Sequence, residues 1–161
     1  MTDNKPLSSA DLDTSLSVPR HMRASDADAA WRLVQEVEEL DKNSHYLYLI
    51  LGTYFSSTCA VVDLPEGGIA GFVTGFRIPG ERGAMFIWQM AVTPACRGRG
   101  VARSLIEFLV SSQSESILSV AATIAPENAA SQGVFRGFAA SRGWVITQSP
   151  FLYGKDLPVE A

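Results

Sequence analysis

The residues with the plainest chemical purpose in this chain lie together. Arg97-Gly98-Arg99-Gly100 stands between an apolar run, Ala84–Val92, and an amphipathic stretch that opens at Val101. A helix start leaves backbone N–H groups unpaired and carries a partial positive charge. Gly98 and Gly100 let the backbone take positive φ and let a ligand approach closely. Arg97, Arg99 and Arg103 add charge. The combination is an anion cradle of the kind that suits a pyrophosphate. It is neither a Walker loop, because Gly-Lys-Ser/Thr is absent, nor a dinucleotide fingerprint, because GxGxxG is absent. A bare Arg-Gly-Arg-Gly could equally be a solvated loop with a helix cap. The apolar strand before it and the amphipathic helix after it favour the functional reading.

Other chemistries have thinner support. The two histidines, His21 and His45, are far apart and lack metal-ligand spacing, so no metal site is expected. The two cysteines, Cys59 and Cys96, form no metal-like pair and suggest reduced thiols in a cytoplasmic protein. The net charge is −4 over 161 residues, and no basic footprint for nucleic acid is present. No stretch reaches the roughly 20 apolar residues of a membrane helix. The N-terminal segment, MTDNKPLSSADLDTSLS, has no apolar signal core. The expected organisation is a polar, flexible tail over residues 1–17 and a single domain over 18–161.

The elements that must position the turn follow from periodicity and breakers. Val18–Arg23 suits a first strand. Ser25, with Asp28 three residues on, resembles a capping box, and a helix to about Leu40 places Ala27, Trp31, Val34 and Val37 on one stripe. Asp41-Lys42-Asn43-Ser44 breaks it. His45–Phe55 suits a second helix, although its tyrosines also allow a strand. Thr58–Leu64, Ile69–Ile78 and Ala84–Val92 suit strands joined by Pro65-Glu66-Gly67-Gly68 and Pro79-Gly80-Glu81-Arg82-Gly83. The continuous apolar run Ala84–Val92 suits a strand covered on both faces. After the Arg/Gly turn come a helix with Val101, Leu105, Phe108 and Leu109 inward, a strand Ile117–Ile124, a helix Asn128–Ser141 with Val134, Phe135 and Phe138 inward, and a last strand Trp144–Tyr153. Consecutive hairpins followed by strand-helix-strand predict an α+β (mixed α/β) domain with a central, mostly antiparallel twisted sheet flanked by helices.

Arg97-Gly98-Arg99-Gly100-Val101-Ala102 resembles the R/Q-x-x-G-x-G/A motif of the GNAT superfamily of N-acetyltransferases, and the order of elements is similar from about residue 18 to 153. The resemblance implies that acetyl-CoA is the co-substrate. Arg97, Gly98, Arg99, Gly100, Val101, Ala102 and Arg103 would hold its pyrophosphate. The strand residues Met90, Ala91 and Val92 would also bind it, a backbone N–H on the Trp88–Val92 strand polarising the thioester carbonyl, and Asn128 would contact the pantetheine arm. Asn128, Ser131 and Phe135 on the following helix would complete the site. Many members of the superfamily place a thiolate-protonating Tyr seven residues after the Asn; here that position is Phe135.

Further segments resemble the diaminobutyrate acetyltransferases of ectoine biosynthesis. They are Leu40-Asp41-Lys42-Asn43-Ser44-His45-Tyr46, Tyr54-Phe55-Ser56-Ser57-Thr58-Cys59, Gly71–Pro79, Phe86-Ile87-Trp88-Gln89-Met90-Ala91-Val92 and Thr123-Ile124-Ala125-Pro126-Glu127-Asn128. This implies acetyl transfer to the 4-amino group of L-2,4-diaminobutyrate and, as is typical of those enzymes, a homodimer. The chain departs from them after Tyr153, where it lacks a His- and Glu-rich tail. An acetyltransferase of another small amine and a non-catalytic acyl-CoA-binding module are the alternatives.

A diamine with a carboxylate needs acceptors for its ammonium groups and donors for its carboxylate. Asp41, with Asn43 and Tyr46, follows a helix where site loops tend to lie. Asp41 is the first candidate to orient the amine, and Glu38 and Glu39 are weaker candidates for a base. Trp88 could shield the amine or make a cation–π contact, or simply fill the core. Arg77 is either a holder of the substrate carboxylate or an exposed strand-end charge. Either the thiolate leaves unprotonated or another donor serves, with Tyr46 and Tyr153 as the candidates. A free alkyl amine titrates near pH 10, so about one molecule in a thousand is neutral at pH 7 and the proton must be removed.

Overall fold

The computed structural model describes residues 16–37 and 40–150. Glu38, Glu39, Tyr153, the C-terminal segment and all but the last two residues of the expected tail fall outside them. The chain divides into two compact units, Met1–Ala122 and Thr123–Ala161.

The first unit carries all the described strands. In chain order these elements are β1 (Arg20–His21), α1 (Ala27–Glu36), α2 (His45–Tyr54), β2 (Cys59–Asp63), β3 (Ile69–Arg77), β4 (Ala84–Val92), α3 (Val101–Ser111) and β5 (Ser119–Ala122). The strand order is β1-β2-β3-β4-β5, antiparallel except for the parallel pair β4–β5. The β2–β3–β4 meander follows directly from its two glycine turns, and β4 spans the whole apolar run expected of it. The mixed α/β sheet is therefore the predicted one.

Alternation along these strands assigns the two faces. Cys59, Val61, Phe72 and Ala91 share one face and pack with Ala27, Ala30, Leu33 and Val34 of α1 and with Tyr48 and Leu51 of α2. On the other face, a Cβ placed on Gly71 would meet side-chain atoms of Val92 and Val101, so α3 lies there. The sheet is a filling between two helical layers, which is why β4 is apolar at nearly every position.

Several boundaries differ from expectation. The first strand begins only at Arg20, because Pro19 has no N–H to give a ladder; Val18 is 82% exposed. The helix after it starts at Ala27. Its entry is fixed by Asp26, whose carboxylate accepts the Arg23 N–H at 2.7 Å, and not by Ser25 and Asp28. It ends at Glu36 and not near Leu40. A longer helix would set Glu36, Glu38 and Glu39 at its negative end. Trp31 is half-buried, and Leu33 takes its place in the core. On α3, Ile106 and Val110 join the buried stripe, and Phe108 is half-buried with its edge on the His21 ring. The fifth strand is four residues long, Ser119–Ala122.

Within the second unit, α4 (Ala129–Arg142) is capped by Asn128, whose side chain accepts the Ser131 N–H at 3.0 Å. Phe138 is buried as expected, whereas Val134 and Phe135 are half-buried. The expected strand from Trp144 is absent over its described part, 144–150. Gly143, at φ +66°, reverses the chain instead, and the Trp144 N–H returns to the Ala139 carbonyl. Trp144 then packs edge-on against Phe138, with the Arg142 guanidinium over both rings.

One ionic cluster ties the start of the described chain to the sheet. The Arg20 guanidinium donates to Asp26 at 2.8 and 2.9 Å and to Asp63 at 2.7 and 2.7 Å. Burial alone would raise the Asp26 pKa, but the Arg20 guanidinium and the Arg23 amide outweigh it and lower the pKa below 3.8. A carboxyl whose folded value is depressed stabilises the fold above its unfolded value and loses that contribution as pH falls through the folded one. Arg20→Met should therefore destabilise the protein by about 2–3 kcal/mol at pH 7, less than for a fully buried pair because Arg20 is partly exposed. Asp26→Asn should flatten the loss of stability between pH 5 and pH 3. Urea unfolding at both pH values measures both effects.

Candidate active site

β4 is built to offer part of its backbone. Thr74 pairs with Gln89 and Gly75 with Ile87, so Trp88 is an extra residue that bulges β4. A Cβ on Gly75 would lie 2.5 Å from the Phe86 carbonyl oxygen, and only glycine allows β3 this close at the bulge. Beyond Ile87, β4 also loses its other neighbour. β5 pairs with it only over Ala84–Ile87.

The register then decides which backbone groups point to the open edge. The Thr93 N–H donates to the Ala70 carbonyl at 2.8 Å. In an antiparallel ladder, bonded and non-bonded pairs alternate. The Thr93 N–H and the N–H and C=O groups of Ala91 are therefore spent on β3, while those of Met90 and Val92 point away from it. Of the three β4 residues expected to bind the cofactor, Met90 and Val92 present backbone groups to the edge and Ala91 does not. The Val92 carbonyl meets Nε of Arg97 at 3.4 Å.

That edge runs straight into the Arg/Gly turn. Pro94–Cys96 forms one tight turn. Gly98 at φ +72° and Gly100 at φ +78° then turn the chain into α3. Gly100 caps α3 without any side-chain bond, and the first helical acceptor is its own carbonyl, which takes the Ser104 N–H at 2.9 Å. The amides of Val101, Ala102 and Arg103 thus have no acceptor inside the helix. A Cβ on Gly98 or Gly100 would meet nothing within 4 Å, so open space lies over the turn. Arg97 and Arg103 are exposed, and Arg99 is half-buried with Nη1 3.9 Å from the buried Cys96 sulfur. The turn fits a bound diphosphate: outward amides, positive charge and room for it.

On the α1–α2 side, Asp41 and Tyr46 are exposed, Tyr46 at 67%, and Asn43 is half-buried. Asn43 Nδ2 donates to the Asp41 carbonyl at 3.3 Å. Gln89 Nε2 donates to the same carbonyl at 3.0 Å. This ties the loop to β4 one residue from Trp88, which is 44% exposed. Gln89 Oε1 in turn accepts from the Tyr48 hydroxyl at 2.7 Å. Gln89 and Tyr48 went unremarked in the sequence, yet a lone glutamine inside the apolar run Ala84–Val92 was a signal, because a buried amide must find partners.

The other expected residues fall elsewhere. Arg77 donates to the Glu115 carbonyl at 2.9 Å and lies 3.5 Å from its carboxylate, at the end of β3 away from the turn. Of its two readings, that geometry is the strand-end charge. Asn128, Ser131 and Phe135 belong to the second unit, with Asn128 and Ser131 joined in the α4 cap. His45 stands 3.7 Å from Asp28 and edge-on to Trp31. No group of three or more His, Cys, Asp or Glu residues among the described residues is arranged to hold a metal ion. Burial pushes the Cys59 thiol up to about 11, so it stays protonated and is no nucleophile.

An open strand edge with free N–H and C=O groups can pair with an extended, amide-bearing ligand as an added strand does. An amide on the same edge can polarise a carbonyl that is about to be attacked. With an anion cradle at one end and a carboxylate loop beside Trp88 at the other, the first unit can seat an acyl donor and a cationic acceptor side by side.

Comparison with known proteins agrees with this arrangement. The acetyltransferase (GNAT) family model matches residues 27–139. The L-2,4-diaminobutyric acid acetyltransferase of Streptomyces coelicolor is 37% identical over 139 residues, covering 85% of this chain and 80% of that protein. The enzyme of the same name from Bordetella parapertussis is 35% identical over 133 residues, covering 82% and 72%. Among solved structures, a diaminobutyrate acetyltransferase from Paenibacillus lautus, in complex with its substrate L-2,4-diaminobutyric acid and coenzyme A, superposes with a TM-score of 0.71 at 32% identity, covering 80% of this chain and 76% of that one. The chain belongs to the acetyltransferase (GNAT) family.

Proposed function

We propose that this chain transfers the acetyl group of acetyl-CoA to the 4-amino group of L-2,4-diaminobutyrate, releasing CoA and N4-acetyl-L-2,4-diaminobutyrate, the acetylation step of ectoine biosynthesis. The observation that carries the reading is the bulged, half-open β4 edge leading directly into the uncapped start of α3. The relatives of known name supply the substrate.

In this reading the amides of Val101, Ala102 and Arg103 and the side chains of Arg97, Arg99 and Arg103 hold the pyrophosphate. The Met90 and Val92 backbone groups pair with the pantetheine amides. Acetyl-CoA supplies an activated thioester, which a neutral amine attacks directly. The Asp41 carboxylate, with Asn43 and Tyr46, holds and orients the substrate ammonium. Trp88 shields it from water, which lowers the cost of losing its proton. With Phe135 where many relatives in the superfamily carry Tyr, Tyr46 is the residue proposed to return a proton to the leaving thiolate. Residues 18–161 act as one catalytic domain, the enzyme is a homodimer, and it works in the cytoplasm, where its two buried thiols stay reduced.

Thiol release from acetyl-CoA, measured with L-2,4-diaminobutyrate, ornithine, lysine, spermidine and no amine, tests this reading. Diaminobutyrate should give the highest kcat/KM by at least about tenfold, the discrimination that roughly one methylene commands. Preference for another amine would keep the chemistry and overturn the substrate. CoA binding without turnover of any amine would overturn the enzyme.

A further inference from the structure

One side chain on β4, that of Gln89, hydrogen-bonds the backbone of the Asp41 loop. We infer that Gln89 is a positioning residue, holding the amine-binding loop in register with the strand edge that holds the acetyl donor. The inference rests on the proposed role of Asp41.

Gln89 is 7% exposed, in the middle of a strand whose other inward positions are apolar. Its amide has two unlike ends and uses both. Oε1 accepts from the Tyr48 hydroxyl at 2.7 Å and Nε2 donates to the Asp41 carbonyl at 3.0 Å. The polarity of the chain is forced. A carbonyl can only accept, so the NH2 end must face Asp41, and the oxygen then needs a donor, which the phenol supplies. Asn43 Nδ2 completes the second lone pair of the same carbonyl at 3.3 Å. Burial raises the Tyr48 pKa, so its proton stays available for donation. Thr74 Oγ1 donates to the Gln89 backbone carbonyl at 3.3 Å, which steadies the strand residue itself.

The consequence is a fixed relation between the two halves of the site. Gln89 is flanked by Trp88, the bulge, and by Met90, whose backbone faces the open edge. The same residue grips the backbone of Asp41. Strand edge and loop are therefore referenced to one side chain. No other natural residue replaces it cleanly. Leucine would take the Gln89 partner from the Tyr48 hydroxyl and leave one lone pair of the Asp41 carbonyl unfilled. Ionised glutamate would set a carboxylate against the Asp41 carbonyl oxygen. Protonated glutamate could accept from Tyr48 and donate to Asp41, restoring the wild-type pattern.

The test compares wild type, Gln89→Leu, Gln89→Glu and Tyr48→Phe, each checked for unchanged thermal unfolding within a few degrees. Hydrogen exchange of residues 40–46 reads the loop without reference to activity. Gln89→Leu should speed it about tenfold, while residues 101–111 stay as in wild type. Its kcat/KM for diaminobutyrate should fall about 30-fold, with the Kd for CoA unchanged. Tyr48→Phe should show a smaller loss, and the double variant Gln89→Leu with Tyr48→Phe should be no worse than Gln89→Leu alone. The activity of Gln89→Glu relative to wild type should climb as pH falls from 8.5 to 6.5, because the buried acid takes up its proton. Unchanged loop exchange in Gln89→Leu, or equal losses in CoA affinity and amine turnover, would overturn the inference. A wild-type enzyme inert toward diaminobutyrate whose loop still loosens in Gln89→Leu would instead count against the substrate.

Discussion

Asp41→Ala should lower kcat/KM for L-2,4-diaminobutyrate by about 100-fold, the loss expected when a desolvated ammonium is deprived of its charge partner. The Kd for CoA should stay within about twofold, because Asp41 is on the loop before α2 and far in sequence from the Arg97–Arg103 turn. The backbone contacts make this a clean experiment. Gln89 and Asn43 grip the Asp41 carbonyl and not its carboxylate, so alanine keeps the loop anchored and removes only the charge. Asp41→Asn should fall between alanine and wild type, since an amide oxygen still accepts from an ammonium. Equal losses with every amine tested, including those with a single amino group, would point to a role in the chemical step and not in selecting a diamine. Steady-state kinetics with varied amine at saturating acetyl-CoA separates the two.

Gly100→Val should act on the other substrate. Gly100 has φ +78° at the cap of α3, where a side chain costs about 1–2 kcal/mol and a β-branched one more. The added atoms would also fill the open space over the turn. Both effects oppose a diphosphate lying on the amides of Val101, Ala102 and Arg103. The KM for acetyl-CoA should rise about 30-fold or more, with the KM for diaminobutyrate little changed. Gly98→Ala, at φ +72°, should give a milder version. Titration calorimetry with CoA gives the affinity directly, and circular dichroism reports whether α3 is retained.

Much of the first unit was legible because its signals are local. The Pro65–Gly68 and Pro79–Gly83 turns define two hairpins, the unbroken apolar run defines β4, and the Arg/Gly turn identifies itself by what precedes and follows it. What escaped is long-range or depends on one backbone atom. The bulge at Trp88 arises from β3 pairing across Thr74 and Gly75, and a residue-by-residue pattern carries no register. For the same reason Ala91 looked equivalent to Met90 and Val92, although the ladder turns its backbone the other way. Pro19 trimmed the first strand, a rule that periodicity alone had overridden. Asp26 was passed over as a cap because its partner, Arg20, arrives from a neighbouring strand and brings Asp63 with it. Trp144 reads as a strand residue from its β-branched neighbours, yet Gly143 folds it back on Phe138. Arg77 was left between two readings by the sequence, and Glu115, 38 residues away, occupies it.

Acetyl should pass from acetyl-CoA to one particular nitrogen of diaminobutyrate. The most direct test is to incubate the protein with 13C-acetyl-CoA and L-2,4-diaminobutyrate and to locate the label by NMR. A single product is expected, its new amide proton coupled to the C4 methylene and its formation matched by one equivalent of free CoA. Label on the nitrogen at C2, or no labelled amide while CoA binding is intact, would contradict it.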